Sequence, residues 1–321
     1  KRCFKKNIMK SLVTGGAGNI GSALVKKLLQ NEQNTIVVAD NLSTGLKIKL
    51  PPPSPKWTFI HCDINKYKGI SELMTANNFD YVFHYAALVG VARTQENPIK
   101  VLQDIDGIKH ILELSQKTGV KRVFFSSSSE VYGEPVELPQ HEHTTPLNSR
   151  VPYAIVKNVG EAFLKSFKQE YDLDYTIFRF FNTYGVNQSS DFVVTRFIRA
   201  ALNNQDITIY GDGSQTRTFC YVDDNIEVCV KTLYENKVVN DIINIGGDVV
   251  VKIIDLAIMI IELTNSRSKI INLPPLKDGD MTRRQPDNTK MLSILGRDLL
   301  PVEEGIKLML ADKNFVNSCV E

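Results

Sequence analysis

Thr14-Gly15-Gly16-Ala17-Gly18-Asn19-Ile20-Gly21-Ser22 follows the apolar run Leu12-Val13 and leads into Ile20, Leu24, Leu28 and Leu29, apolar positions that recur at the helical period. The stretch reads as strand, tight turn and helix. Gly15, Gly18 and Gly21 stand at three-residue intervals, in the order that serves a tight turn, a close approach of pyrophosphate to backbone, and close packing of helix on strand. The helix N-terminus then presents free N–H groups and a favourable dipole to an anion. A second apolar run, Ile36-Val37-Val38-Ala39, ends on Asp40, about 20 residues past the last glycine, where a carboxylate accepts from a ribose 2′-hydroxyl and repels a 2′-phosphate. The expected dinucleotide is NAD rather than NADP, held by Gly15, Gly18, Asn19, Ile20, Gly21 and Asp40. An aspartate at a strand end also caps turns, and the sequence leaves both roles open.

Outward from this turn, strands and helices alternate. Pro51-Pro52-Pro53-Ser54-Pro55 is a rigid extended loop. A third strand, Trp57-Thr58-Phe59-Ile60, precedes Asp63 and Ile64, which stand where a strand end would meet an adenine; Asp63 is equally a helix cap. Tyr81-Val82-Phe83-His84 is followed by Tyr85, Ala86 and Ala87, a stretch rich in small residues against which a cofactor can lie. A helix over roughly 101–117 and a fifth strand, Arg122-Val123-Phe124-Phe125, continue the pattern. Such alternation predicts a doubly wound parallel sheet with right-handed crossovers, the Rossmann α/β class. Asp241-Ile242-Ile243-Asn244-Ile245 reads as a later strand rejoining that sheet.

The fifth strand ends in Ser126-Ser127-Ser128-Ser129-Glu130, and Pro152-Tyr153-Ala154-Ile155-Val156-Lys157 opens a long helix with proline in its first turn. Tyr153 and Lys157 share one face, a helical turn apart. A tyrosine that acts as a base near neutral pH must have its pKa lowered by about 3 pH units, about 4 kcal/mol. The Lys157 ammonium and the positive charge of an oxidised nicotinamide supply much of that, and a serine hydroxyl at the strand end would hold the substrate oxygen.

Composition narrows the class of protein. At 321 residues the chain is long enough for one large α/β unit with a smaller lobe or for two ordinary domains, and 43% hydrophobic with 23% charged residues is the balance of a globular protein. A formal charge of +2 gives no reason to expect nucleic acid, and the basic stretch Lys1-Arg2-Cys3-Phe4-Lys5-Lys6 reads as a solvated tail without the apolar core of a signal peptide. The greasiest run, 253–263, carries Asp255 and Glu262 and is too short to span a bilayer. Cys3, Cys62, Cys220, Cys229 and Cys319 are odd in number and form no C-x-x-C pair, which suits reduced thiols. No membrane, no metal and a cytoplasmic location are expected; His141 and His143 have no second ligand cluster around them.

Taken together, the glycine turn, Asp40-Asn41-Leu42-Ser43-Thr44-Gly45, the Ser-rich strand end and Tyr153-x-x-x-Lys157 resemble the extended short-chain dehydrogenase/reductase family that modifies nucleotide sugars. Arg179-Phe180-Phe181-Asn182-Thr183-Tyr184-Gly185, Tyr210-Gly211-Asp212-Gly213-Ser214-Gln215-Thr216-Arg217 and Asp223-Asp224 are further matches. The resemblance implies a tightly held NAD, also touching Asn41, Thr44 and Gly45, that oxidises the sugar at C4. By position Ser128 binds the 4-hydroxyl, Tyr153 is the general base, and Lys157 is its partner and a ribose ligand. Asn182, Arg217 and Arg284 hold the diphosphate and nucleoside of a UDP-, GDP- or dTDP-sugar, with Lys277-Asp278-Gly279-Asp280 where relatives often have Arg-x-Gly-Asp. Residues 1–180 form the NAD-binding domain, with about 220–260 rejoining it, and 181–321 mainly a substrate-binding lobe; helices near 101–117 and 153–171 pair into a homodimer.

Two departures bear on the reaction. Epimerases of the family often have Asn where this chain has Asp104, and its 4,6-dehydratases carry Thr-Asp-Glu where it reads Ser128-Ser129-Glu130. Ser128-Ser129-Glu130 and Arg284-Gln285-Pro286 are similar to UDP-glucuronate decarboxylases, with Glu130 acting near C5, whereas Pro146-Leu147-Asn148 and Asp40 to Gly45 are similar to 4-epimerases. The 4-epimerase asks least of the site; a C4 dehydrogenase, a decarboxylase and, less readily, a 4,6-dehydratase remain alternatives. A non-catalytic NAD-binding protein on the same fold is expected to have lost the hydroxyl, the tyrosine or the lysine, and all three are here.

Overall fold

The computed structural model describes residues 8–275 and 283–320, so the N-terminal basic stretch and Lys277 to Asp280 lie outside the described residues. β1 (Met9–Thr14) runs through the glycine turn into α1 (Asn19–Leu28), followed by β2 (Asn34–Asp40), β3 (Trp57–His61), α2 (Tyr67–Thr75) and β4 (Tyr81–His84). The short α3 (Val91–Glu96) and α4 (Pro98–Leu102) precede α5 (Asp104–Thr118), β5 (Arg122–Ser128), α6 (Pro152–Tyr171) and β6 (Asp174–Phe180). Then come β7 (Thr183–Tyr184), α7 (Val193–Leu202), β8 (Ile207–Tyr210), β9 (Thr216–Thr218), β10 (Cys220–Tyr221), α8 (Val222–Tyr234) and β11 (Asp241–Ile245). β12 (Val250–Lys252), α9 (Ile253–Thr264), β13 (Ile270–Leu273), α10 (Thr289–Leu295), α11 (Val302–Ala311) and α12 (Lys313–Cys319) complete the chain.

Seven strands form one parallel sheet in the order β3-β2-β1-β4-β5-β6-β11. This is the doubly wound Rossmann sheet that the alternation predicts. Because side chains alternate across a strand, successive apolar residues feed opposite cores. Val13, Val38, Phe83, Phe124 and Phe178 pack on one face, where Phe83 and Phe124 stack with ring centroids 4.4 Å apart. Leu12, Val37, Val82, Val123 and Ile177 pack on the other. Continuous apolar runs such as Ile36-Val37-Val38-Ala39 are therefore needed to serve both layers. The strand order reverses between β1 and β4, and a crevice opens there beyond the strand ends, as this topology requires.

Outside the main sheet, β8 pairs with β13, β9 with β12 and β7 with β10, packed with α7, α9, α11 and α12 into a smaller α/β layer. The helix expected from residue 101 begins at Asp104 instead, because Pro98 opens a separate turn, α4, before it. It ends on Gly119 at φ 76°, a left-handed closing position that glycine occupies without strain. Among the described residues no helix is long and apolar enough to cross a membrane, and no cluster of three or more His, Cys, Asp or Glu side chains could hold a metal. Cys62, Cys220, Cys229 and Cys319 are buried free thiols.

Candidate active site

Backbone bonds close the glycine turn: the Gly15 N–H donates to the Ala39 carbonyl at 2.8 Å and the Gly18 N–H to the Gly15 carbonyl at 3.1 Å. Gly15 sits at φ 68°, and a Cβ there would stand 2.6 Å from the Ala86 nitrogen; at Gly21 one would stand 2.2 Å from the Gly15 oxygen. Only glycine permits this approach of β1, α1 and the chain after β4. Asp40 braces the turn from the next strand, Oδ2 accepting from the Ala17 N–H at 2.9 Å and Oδ1 from the Leu42 N–H at 2.8 Å. It thus performs the capping role while its carboxylate still faces the crevice. Gly45 lies against that carboxylate, where a Cβ would be 2.9 Å from both oxygens. Among the described residues no side chain caps the N-terminus of α1, so its first N–H groups are left for a ligand, and Asn19 Oδ1 is buried without a partner.

The crevice is a cleft of about 1160 Å³. Every site residue expected from sequence lines it except Gly45, Lys157 and Arg217. Lys157 lies directly beneath Tyr153. Arg217 is buried on β9, opposite Val251 of β12, with Nη1 donating to the Thr216 carbonyl at 2.8 Å, and is not among the described residues lining the cleft. The cleft also takes in Lys49, Asn65, Arg93, Gln188 and Phe192, which no sequence pattern marked because they stand in loops, short turns or the short α3.

β5 delivers the Ser-rich turn and α6 delivers Tyr153 to the same end of the cleft. Val151 is extended and Pro152 sits in the first turn, which starts α6 so that Tyr153 faces inward one turn above Lys157. Lys157 is 2% exposed; its Nζ donates to the Ser126 carbonyl at 2.6 Å and lies 5.6 Å from the Tyr153 ring centroid. Burial pulls its pKa down to about 8, against the raising influence of Asp104 and Glu161. Tyr153 is pushed above its ordinary value, first by burial and then by the Glu130 charge, with the Ser128 hydroxyl pulling the other way. The lowered pKa expected from the Tyr–Lys spacing is therefore not a property of the protein alone, because the Lys157 charge does not outweigh desolvation. Glu130 and Arg284 meet at 3.4 Å in the cleft beside them, and Arg284 Nε is buried with no partner among the described residues.

Behind this wall lies a buried polar network. Glu161 accepts from Ser127 Oγ at 2.6 Å and from Arg179 Nε at 2.9 Å and Nη2 at 2.6 Å. Arg179 Nη1 also donates to Tyr132 Oη at 2.8 Å, and Tyr132 donates to Asn244 Oδ1 at 2.7 Å. An arginine inside the aromatic strand Tyr175 to Phe180 demands a buried acid, which is the signal that could have found Glu161.

His84, 2% exposed, shares a 2.9 Å hydrogen bond with Thr14 Oγ1. Burial, with Lys157 nearby, pulls its pKa from 6.5 to about 3. The unfolded chain takes up this proton below pH 6.5 and the folded one does not. Its contribution is therefore intact above 6.5 and is lost as pH falls toward 3, by up to about 1.4 kcal/mol per pH unit. Urea unfolding at stepped pH should show a shallower acid loss in His84→Asn than in the parent.

With this geometry in place, comparison with known proteins is decisive. The model of the NAD dependent epimerase/dehydratase family matches residues 11–246. The chain belongs to that family. It is a NAD-dependent enzyme of the nucleotide-sugar epimerase, decarboxylase and dehydratase group. A putative UDP-glucose 4-epimerase of Methanocaldococcus jannaschii is 36% identical over 92% of this chain and 95% of its own. UDP-glucuronic acid decarboxylase 6 of Arabidopsis thaliana is 33% identical over 96% of this chain and 90% of its own. The crystal structure of the Thermotoga maritima UDP-glucose 4-epimerase with UDP-glucose superposes with a TM-score of 0.88 at 33% identity, covering 94% of this chain and 98% of that one. The residues present fit the family's NAD: the uncapped α1 N-terminus, the space that only glycine leaves at Gly15, and the Asp40 carboxylate all face one cleft.

Proposed function

We propose that the enzyme oxidises a nucleotide-linked sugar at C4 and returns the hydride to the opposite face, a 4-epimerase. The observation that carries the first half is the convergence of Ser128, Tyr153 and Lys157 at the end of the cleft, beyond the glycine turn and Asp40. When bound, NAD supplies the acceptor for the C4 hydride. Ser128 Oγ binds the 4-hydroxyl, and Tyr153 takes its proton as the hydride leaves. Lys157, fixed on the Ser126 carbonyl, keeps a positive charge below the phenol, so that together with the oxidised cofactor it offsets the desolvation that otherwise holds Tyr153 protonated. On return, Tyr153 gives the proton back to the C4 oxygen. Asn182 and Arg284 line the cleft, where they would hold the sugar diphosphate. Re-reduction supports the epimerase reading because it needs no further group.

A specific observation favours a second reading. Glu130 and Arg284 form a carboxylate–guanidinium pair next to Tyr153. On a nucleotide-linked hexuronate, Arg284 would bind the C6 carboxylate, and the 4-ketone would make that group a β-keto acid that loses carbon dioxide, with Glu130 near C5. Incubation with UDP-, GDP- and dTDP-linked hexoses and hexuronates, followed by mass spectrometry, separates the two. An isomer of unchanged mass supports the epimerase, loss of carbon dioxide the decarboxylase, and loss of two hydrogens with reduced cofactor a plain C4 dehydrogenase. No change with any sugar overturns the assignment of Ser128, Tyr153 and Lys157.

We also propose a homodimer through α5 and α6. Ile155 is 40% and Tyr171 52% exposed on α6, with Phe163 and Phe167 beside them, an apolar strip suited to a four-helix packing. Sedimentation equilibrium should give twice the chain mass, and Ile155→Glu should give the single mass.

A further inference from the structure

Asp104 is a buried carboxylate on the cleft wall, 8% exposed, at the first turn of α5. Both of its hydrogen-bond partners are neutral donors: Oδ2 accepts from the Leu88 N–H at 2.7 Å and Oδ1 from Asn65 Nδ2 at 3.0 Å. The buried Glu161 and the half-buried Glu130 are differently placed. Glu161 on α6 is held by Arg179 at 2.6 Å, and Glu130 after β5 by Arg284 at 3.4 Å. Among the described residues Asp104 has no cationic nitrogen within ion-pair distance. His84 on β4 is neutral at physiological pH, and Asp106 stands exposed at the cleft rim. At the catalytic end of the cleft Asp104 is thus a buried anion outside any ion pair among the described residues, near the Lys157 ammonium and apart from the Glu130–Arg284 pair. The field of Asp104 reaches both Tyr153 and Lys157, raising the pKa of each. A ring seated against Tyr153 lies in the same field.

We propose that Asp104 is the fixed counter-charge of the oxidised, positively charged form of the cofactor, weighting the bound couple toward that form so that a hydride taken from the sugar is returned rather than retained. The proposal rests on the reading of the site as one that oxidises and re-reduces C4. In that cycle the C4–H bond delivers two electrons and a hydrogen to the cofactor, Tyr153 receives the hydroxyl proton, and both return, so the reaction has no net oxidant. A carboxylate stabilises the cation that exists before hydride transfer and does nothing for the neutral ring after it. Asp104 acts here through charge, apart from its structural bonds.

Asp104→Asn removes the charge and keeps the bonds. The amide oxygen accepts from Leu88, and the new N–H₂ finds an acceptor when the Asn65 amide turns over, because Asn65 Oδ1 is buried without a partner among the described residues. The measurement is the ratio of NADH to NAD dissociation constants, by calorimetric titration of cofactor-stripped protein, or the midpoint potential of the bound couple where the cofactor does not strip. The Asn variant is expected to bind NADH better relative to NAD by about tenfold, which is about 30 mV in the bound couple, while Asp106→Asn leaves the ratio within about twofold. Asp104→Ser gives the same readout if the Asn protein is poorly folded. An unmoved ratio, or both affinities falling together, overturns the proposal and leaves Asp104 as a brace for the Leu88 loop. No sugar enters this measurement, so failure of the C4 reading and failure of the Asp104 proposal are told apart.

Discussion

Tyr153→Phe is expected to lower turnover of the nucleotide-sugar substrate about 10³-fold, within the range for loss of a general acid–base group, with the NAD content of the purified protein unchanged. The phenyl ring keeps the packing against Lys157 and the cleft wall and removes only the hydroxyl. Because burial and the Glu130 charge hold the phenol above its ordinary pKa in the protein alone, the base is made only when cofactor and substrate bring their own charges and hydrogen bonds. The pH dependence should therefore differ between the free enzyme and the substrate complex, with the acid limb of kcat lying below that of direct phenol titration in the unliganded protein. Retained turnover in the Phe variant would mean that another group takes the C4 proton, and NAD lost with turnover would mean that the hydroxyl serves binding instead.

The largest effect on stability is expected from Glu161→Ala, about 3–5 kcal/mol, the usual result of leaving one member of a buried ion pair without its partner. Arg179 is 1% exposed and receives two hydrogen bonds' worth of compensation from Glu161. Removing the acid leaves a desolvated guanidinium with only Tyr132 and the Glu142 carbonyl to accept from it. Guanidinium chloride unfolding checks the value. The double variant Glu161→Leu with Arg179→Met should be more stable than either single change, because it removes both charges together. Breaking exposed pairs such as Lys307 with Glu303 and Glu304 should cost far less, because solvent screens them. Ser127 also loses its acceptor in the Ala variant, so the strand end carrying Ser128 loosens and activity at permissive temperature should fall along with stability.

Much of this enzyme was legible before any fold was drawn. The glycine spacing at Gly15, Gly18 and Gly21, the apolar run ending on Asp40, and the Tyr153–Lys157 turn are local patterns, and local sterics and periodicity decide local structure. The same holds for the strand Asp241–Ile245, whose apolar run carries it into the sheet beside β6. The dual role of Asp40, turn brace and cleft carboxylate, was visible only as a pair of alternatives, because the partners Ala17 and Leu42 come from different loops.

Sequence by itself determined the strand–turn–helix start, the doubly wound class, the family and the placing of Tyr153 one helical turn before Lys157, since each is carried by local patterns of residues. Tertiary structure alone decided which distant charges meet. It joined Glu130 to Arg284 and Glu161 to Arg179, and brought Asp104 to the cleft wall with two neutral donors bonded to it. The reason is physical: a buried charge is stable only with the partners that packing brings to it, and no periodicity along the chain encodes which strand end will face which helix.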